Sequence, residues 1–205
     1  MELNVEDMIK WFGLANEKIQ ENKVYLTKLD QPIGDGDHGI NMARGYQEAV
    51  LALQAKEYNA PFEVLKDASM VLLSKVGGAS GPLYGTAFLK LSMEVKVKEV
   101  LNLQDLANGL EAGLTGLKQR GKSEIGEKTL IDVWGPVVDY FHKAGFQPDN
   151  LTESARKAME NTKDIIATKG RAAYFKEKSI GHIDPGSASS YLIFEALAEV
   201  IKEKE

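Results

Sequence analysis

The 205-residue chain contains no cysteine, which excludes disulfides, thiolate metal centres, iron–sulfur clusters and cysteine nucleophiles together. Histidine is scarce, with three in all, and no Ser-His-Asp arrangement is legible around them, so a hydrolase triad has no support. No apolar run approaches the ~20 residues that span a bilayer. The start, Met1-Glu2-Leu3-Asn4-Val5-Glu6-Asp7-Met8, is acidic where a secretory leader needs a basic opening and an apolar stretch. The expected location is therefore the cytoplasm, away from membranes. A basic excess is missing too: 25 Lys and Arg against 30 Asp and Glu leave a net charge of −5, which argues against a nucleic-acid partner. The hydrophobic share of 43% is that of a globular protein. A chain this long buries roughly 70% of its unfolded surface, enough for one domain over residues 1–205 that folds without staples.

What is present reads as eight helices. Apolar residues recur every three or four positions, and strand-like alternation is rare. Met8, Ile9, Phe12, Ala15 and Ile19 share one face of a helix expected from about Val5 to Lys28. A second covers Gly39 to Gln54, and a third starts at Pro61 with Phe62, Leu65, Leu72 and Val76 inward. The fourth is expected from Gly85 to Glu99. The fifth is a ladder of Leu103, Leu106, Leu110, Leu114 and Leu117, capped by Asn102 with Asp105 three residues on. A sixth carries Leu130, Val133, Trp134, Val137 and Phe141, with a kink expected at Gly135-Pro136. The seventh is expected from Thr152 to Thr168 and the eighth from Pro185 to Lys202.

The connections are of two kinds, and they alternate. Residues 56–61, 99–102 and 144–150 are plain, whereas 30–38, 77–84, 121–128 and 170–184 are rich in glycine and polar residues. If successive helices run antiparallel, every second connection falls at the same end, so the four glycine-rich loops should share one rim.

The first of these loops, Asp30 to Asn41, holds three carboxylates, Asp30, Asp35 and Asp37, spaced by glycines. Crowded carboxylates repel unless a cation sits among them, and hard oxygen ligands suit Mg²⁺ or Ca²⁺. The spacing is not that of an EF-hand, and Mg²⁺ commonly takes substrate phosphates as further ligands, so a nucleotide is the natural companion. His38 follows directly and either faces that nucleotide or is satisfied by backbone. The second loop, Gly77-Gly78-Ala79-Ser80-Gly81, lets backbone N–H groups approach an anion; Ser80 either contacts it or caps the next helix. In the third, Thr129 and Asp132 form a capping pair, a reading in even balance with ligand contact. In the fourth, Asp184 before Pro185 fits a helix N-cap, and Arg171 offers a phosphate fork or a surface salt bridge. His142 is expected to be structural, and His182 has no evident acid or base beside it.

Taken together, these motifs resemble the ADP-binding subunit family of bacterial dihydroxyacetone kinases, seen also as the C-terminal domain of single-chain ATP-dependent forms. The carrying residues are Leu29-Asp30, Gly34-Asp35-Gly36-Asp37-His38-Gly39 and Asn41-Met42, then Gly77 to Gly81 with Tyr84-Gly85-Thr86. Gly121, Lys128 to Asp132, Gly170-Arg171-Ala172, Ser179 to His182 and Asp184-Pro185-Gly186 complete the series in the family's order. Glu127 and Leu130 replace the usual Asp and Met, and Lys178 stands where Arg is frequent. The resemblance implies an all-α fold, a closed barrel of eight antiparallel helices with the nucleotide at one rim. It also implies that Asp30, Asp35 and Asp37 hold two Mg²⁺ ions on ADP or ATP. His38, Gly39, Ile40, Asn41, Ala79, Ser80, Gly121, Leu130, Arg171, Asp184, Pro185 and Gly186 would line the nucleotide. The implied activity belongs to a subunit without the substrate-binding domain of the single-chain enzymes. Its ADP is rephosphorylated by a phosphohistidine donor subunit of the sugar phosphotransferase system. The phosphoryl group then passes to dihydroxyacetone on the substrate-binding subunit, and no residue of this chain is phosphorylated. Two alternatives stay open: a subunit exchanging free ATP for triose or fatty-acid phosphorylation, or a non-catalytic ADP-loaded protein that signals to a transcription regulator.

Overall fold

The computed structural model describes residues 1–204. Nine α-helices account for most of it: α1 (Val5–Glu21), α2 (Lys23–Asp30), α3 (His38–Gln54), α4 (Pro61–Lys75), α5 (Ser80–Glu94), α6 (Leu103–Gly121), α7 (Ile131–Phe141), α8 (Pro148–Asn161) and α9 (Pro185–Lys202). Two 3₁₀ segments, Thr162–Asp164 and Arg171–Ser179, fall between α8 and α9. Helix α1 packs on α3 and α9, and each member of the series from α3 to α9 packs on the next, so eight helices close a ring. The short α2 lies against α3 and α9. Among the described residues the extended pairing amounts to one antiparallel bridge, Leu3 with Leu101, and no helix is long and apolar enough to cross a membrane.

Aromatic side chains fill the ring. Trp11 and Phe12 from α1 meet Phe88 of α5 at centroid distances of 5.5 and 5.0 Å, and Phe88 contacts Trp134 of α7, which in turn meets Phe194 of α9 edge-on at 5.0 Å. Rings of this size contribute both buried area and the geometric selectivity of edge-on contact. One apolar cluster joins residues of every helix in the ring.

The eight-helix expectation holds for the ring, while several boundaries move. The first expected helix breaks at Asn22, where ψ is 8° and the side-chain amide donates to the Lys18 carbonyl at 2.9 Å; the chain resumes as α2. Helix α5 starts at Ser80 rather than Gly85 and stops at Glu94 rather than Glu99. Its early turns hold Gly81 and Gly85 because α4 lies too close for a side chain: a Cβ on Gly81 would sit 2.3 Å from the Val76 carbonyl oxygen. Helix α8 begins with Pro148 at its first turn and ends at Asn161, short of Thr168. Pro136 sits inside α7, whose helical span continues to Phe141. The capping box of Asn102 and Asp105 forms in both directions, at 2.9 and 3.2 Å.

Candidate functional site

The four glycine-rich connections meet at one end of the ring, around an open cleft of about 780 Å³ counting its mouth. Its wall takes Asp30, Asp35, Asp37, His38 and Asn41 from the first connection and α3, and Gly77 to Ser80 from the second. Lys128 to Leu130 come from the third, and Lys169 to Ala172 with Asp184 to Gly186 from the fourth. The gathering expected from loop alternation is therefore what the chain does.

Asp30, Asp35 and Asp37 each present an oxygen within 4.8 Å of the others. Asp30 is buried at the end of α2, and its Oδ2 accepts the backbone N–H groups of Asp37 (2.9 Å) and His38 (3.2 Å). This ties the loop back onto itself. Gly34 is required at the fold-back, since a Cβ there would lie 1.9 Å from Asp30 Oδ1, and Gly36 takes φ +72°, the left-handed region that glycine enters freely. Across the cleft mouth Arg171 pairs with Asp35 at 3.0 Å. All three donors are hard carboxylate oxygens with no nitrogen or sulfur among them, a set that fits Mg²⁺.

His38 opens α3 and is buried. Its Nε2 lies 2.9 Å from Ser189 Oγ and its Nδ1 3.2 Å from Ser80 Oγ. Burial pushes its pKa down to about 4, with Asp30 and Asp37 pulling the other way, so the imidazole is neutral near pH 7. Ser189 continues to Tyr84 Oη at 2.7 Å, which reaches Ser190 at 2.8 Å. A polar thread thus runs from the cleft into the aromatic core. Ser80 is in the first turn of α5 but makes no capping bond; its hydroxyl goes to His38 instead.

The remaining expected residues divide. Ala79, Ser80, Leu130, Arg171, Asp184, Pro185 and Gly186 line the cleft with His38 and Asn41. Gly121 lines an adjoining hollow with Leu83, Ser123 and Leu130. Gly39 and Ile40 are not on either wall: a Cβ on Gly39 would meet the Lys23 carbonyl oxygen at 2.1 Å, so this glycine serves the α2–α3 approach, and Ile40 is 47% exposed. Asp184 caps α9, its carboxylate accepting the Ser187 N–H at 2.6 Å. Burial raises its pKa to about 7, opposed by the Ser187 bonds and by Lys128, and assisted by Asp132. Asp132 accepts the N–H groups of Thr129 (2.6 Å) and Gly126 (2.5 Å), so the Thr129–Asp132 pair does shape the start of α7. His142 stands 3.3 Å from Glu111, away from the cleft lining.

In the sequence Lys128 stands within the Lys128 to Asp132 motif, with no role assigned to it. It is 1% exposed, in a left-handed conformation (φ +62°), which costs a non-glycine residue roughly 1 kcal/mol. Burial lowers its pKa, and the carboxylates of Asp184, Asp132 and Asp164 hold it up. The one available signal was its place between a glycine-rich loop and a helix start.

An eight-helix ring with a carboxylate cluster and glycine-rich connections at one rim is a helical barrel with an open cleft at one end. A DAK2 domain match covers residues 32–199, and the chain belongs to that family. It is 47% identical over 199 residues to the PTS-dependent dihydroxyacetone kinase ADP-binding subunit DhaL of Lactococcus lactis, spanning 97% of this chain and 99% of that one. The PEP-dependent dihydroxyacetone kinase 1 ADP-binding subunit of Listeria innocua is 51% identical over 191 residues, with 93% and 94% covered. The corresponding Escherichia coli subunit is 38% identical, with 99% and 100% covered. Among solved structures, the dihydroxyacetone kinase of C. freundii superposes with a TM-score of 0.76 at 23% identity. Its complex with AMP-PNP and Mg²⁺ gives 0.74 at 22% identity. This chain spans about a third of that kinase, and the likeness establishes the shared fold.

Proposed function

We propose that this chain is the ADP-binding subunit of a phosphotransferase-system-dependent dihydroxyacetone kinase, active with its partner subunits in the cytoplasm and working as one unit over residues 1–205. The observation that carries the reading is the near end-to-end correspondence with three subunits of that name. The rim geometry supports it independently. Asp30, Asp35 and Asp37 would hold two Mg²⁺ ions on the diphosphate, and Ala79, Ser80 and the start of α5 would face its oxygens. Leu130 and Gly121 would flank the base, with Pro185 and Gly186 next to Leu130 and Asp184. His38 and Asn41 would line the inner end; Gly39 would act through the close approach of α3 to α2. Arg171 balances Asp35 as the chain stands, and a divalent ion at the aspartates would release its guanidinium for phosphate.

When bound, the metal-loaded nucleotide would relay a phosphoryl group from a phosphohistidine subunit to dihydroxyacetone on a second partner, with the ions offsetting charge and fixing alignment. The chain's own task is then to hold and orient rather than to attack. Neutral His38 suits that role, since it adds no competing cation. A transcription regulator reading the ADP-loaded rim is a further partner within this proposal.

Calorimetric titration with ADP in Mg²⁺ tests the reading. The purified parent chain should release ADP when denatured, and the chain stripped of nucleotide should bind it. Asp35→Asn with Asp37→Asn should abolish the Mg²⁺-dependent heat. Titration curves that match between parent and double variant would refute it.

A further inference from the structure

We propose that Lys128 is a positioning residue that staples both ends of the 162–184 segment against the rim and thereby sets how long the nucleotide stays bound; this rests on the ADP-binding reading above. A lysine ammonium has three hydrogens and no acceptor. All three are taken here: Lys128 Nζ donates to the carbonyl oxygens of Thr162 (2.6 Å), Ile165 (3.2 Å) and His182 (2.5 Å). The first two lie where the segment leaves α8, and the third lies where it returns to α9. One buried cation therefore joins departure and return. Its hydrogens are spent on the loop, so it offers none to a phosphate, and its position on the cleft wall is that of a support.

The same two ends also clip to each other. Asp184 N–H donates to Thr162 Oγ1 at 3.0 Å, and Gly181 N–H to the Lys163 carbonyl at 2.8 Å. The segment is thus closed on itself, and its position depends on what fastens it to the rest of the rim. At its return end Ile183 is half-buried against the main apolar core; the fastenings along the rest of the segment are slight. Thr168 bonds Glu127 through its N–H (3.3 Å) and hydroxyl (3.1 Å). The Arg171–Asp35 pair is 70% and 43% exposed, and exposed pairs of this kind hold weakly. Ile33, Ala167 and Ala172 make a small separate apolar patch. Lys128 alone among these is buried and charge-assisted, the stronger kind of bond. The segment it fixes carries Gly170, Arg171 and Ala172 on one side of the cleft and leads directly into Asp184, Pro185 and Gly186. Loosening it opens the way out for a ligand more than it changes the encounter, and effects of this type fall on dissociation.

Lys128→Met keeps the aliphatic stem and removes the three donors. In the ligand-free chain, amide hydrogen exchange over residues 163–183 should accelerate while α4, α5 and α6 keep their protection. ADP dissociation measured by stopped flow in Mg²⁺ should accelerate about tenfold or more, with association changed far less. Lys128→Arg retains the charge but cannot point a planar fork at three carbonyls around one centre. It should shift both readouts in the same direction, and it serves as the test if the Met variant does not fold. Thr168→Val should leave the dissociation rate within about twofold, because it removes an exposed bond. Exchange that rises uniformly across all helices, or an unchanged dissociation rate in folded Lys128 variants, would overturn the proposal. Failure of the parent chain to bind ADP would instead sink the functional reading, and the ligand-free exchange comparison would still decide whether Lys128 holds the segment.

Discussion

Asp184 shows how a residue at this rim serves two ends at a cost. As N-cap of α9 it accepts the Ser187 N–H, yet its burial raises its pKa to about 7. An unfolded aspartate titrates near 3.9. Between these values the folded chain keeps a proton that the unfolded chain has lost, so this group's contribution to stability falls as pH rises from about 4 and levels off above about 7. Lys128 and Asp132 face it with opposite effects, and the Ser187 bonds restrain the shift. Buried His38 has the opposite slope in part of the same range, since its pKa is lowered to about 4. Asp184→Asn isolates the aspartate, because asparagine also caps helices well but does not titrate. In urea unfolding from pH 4 to 8, the parent should lose stability relative to Asp184→Asn up to about pH 7. A constant difference would contradict the assignment.

Glycine has opposite meanings within two elements of this ring. Gly81, at the start of α5, abuts the α4 terminus, with backbone oxygens of Val76 and Leu72 at 2.3 and 3.2 Å from the position of a Cβ. Gly13, inside α1, has nothing within 4 Å. Alanine is worth up to ~1 kcal/mol over glycine in a helix where space allows. Gly13→Ala should therefore raise stability by about that amount, while Gly81→Ala should lower it by about 1–3 kcal/mol, the usual range for overpacking. Gly81→Ala should also weaken ADP binding, because it displaces Ala79 and Ser80. Urea melts and calorimetry on the two variants check both signs. The same pair explains what periodicity could and could not reveal. Helix existence was legible wherever apolar residues repeat, as in the leucine ladder of α6. The start of α5 was not, because Gly81 reads locally as loop and is helical against the end of α4. The break at Asn22 likewise leaves no glycine or proline behind. Pro148 stands at the true start of α8, ahead of the expected start at Thr152. The aspartate cluster was legible because three carboxylates sit within eight residues, whereas Lys128 depends on carbonyls 34, 37 and 54 residues away.

At the scale of the molecule, stability and binding share one end of the ring. The aromatic core lies inside the ring, but the rim gathers Asp30, Asp35 and Asp37 within 4.8 Å, and among the described residues Arg171 alone forms an ion pair with a member of that cluster. Their mutual repulsion is weakest when a divalent ion sits among them, so metal and nucleotide should each improve the fit of the other. A ligand that binds only the folded state stabilises it by about 2.7 kcal/mol at a hundredfold excess over Kd. For a chain of this length each kcal/mol moves the melting midpoint by about 2–4 °C. ADP with Mg²⁺ at that excess should thus raise the midpoint by roughly 5–10 °C, and chelation should reverse most of the gain. Mg²⁺ alone should give a smaller rise, since the phosphates supply part of its coordination. In the Asp35→Asn, Asp37→Asn variant the ADP-dependent rise should vanish, while the ligand-free midpoint should stay equal or increase because two like charges are gone. A midpoint that responds to ADP equally with and without the divalent ion would place the nucleotide elsewhere than on these aspartates.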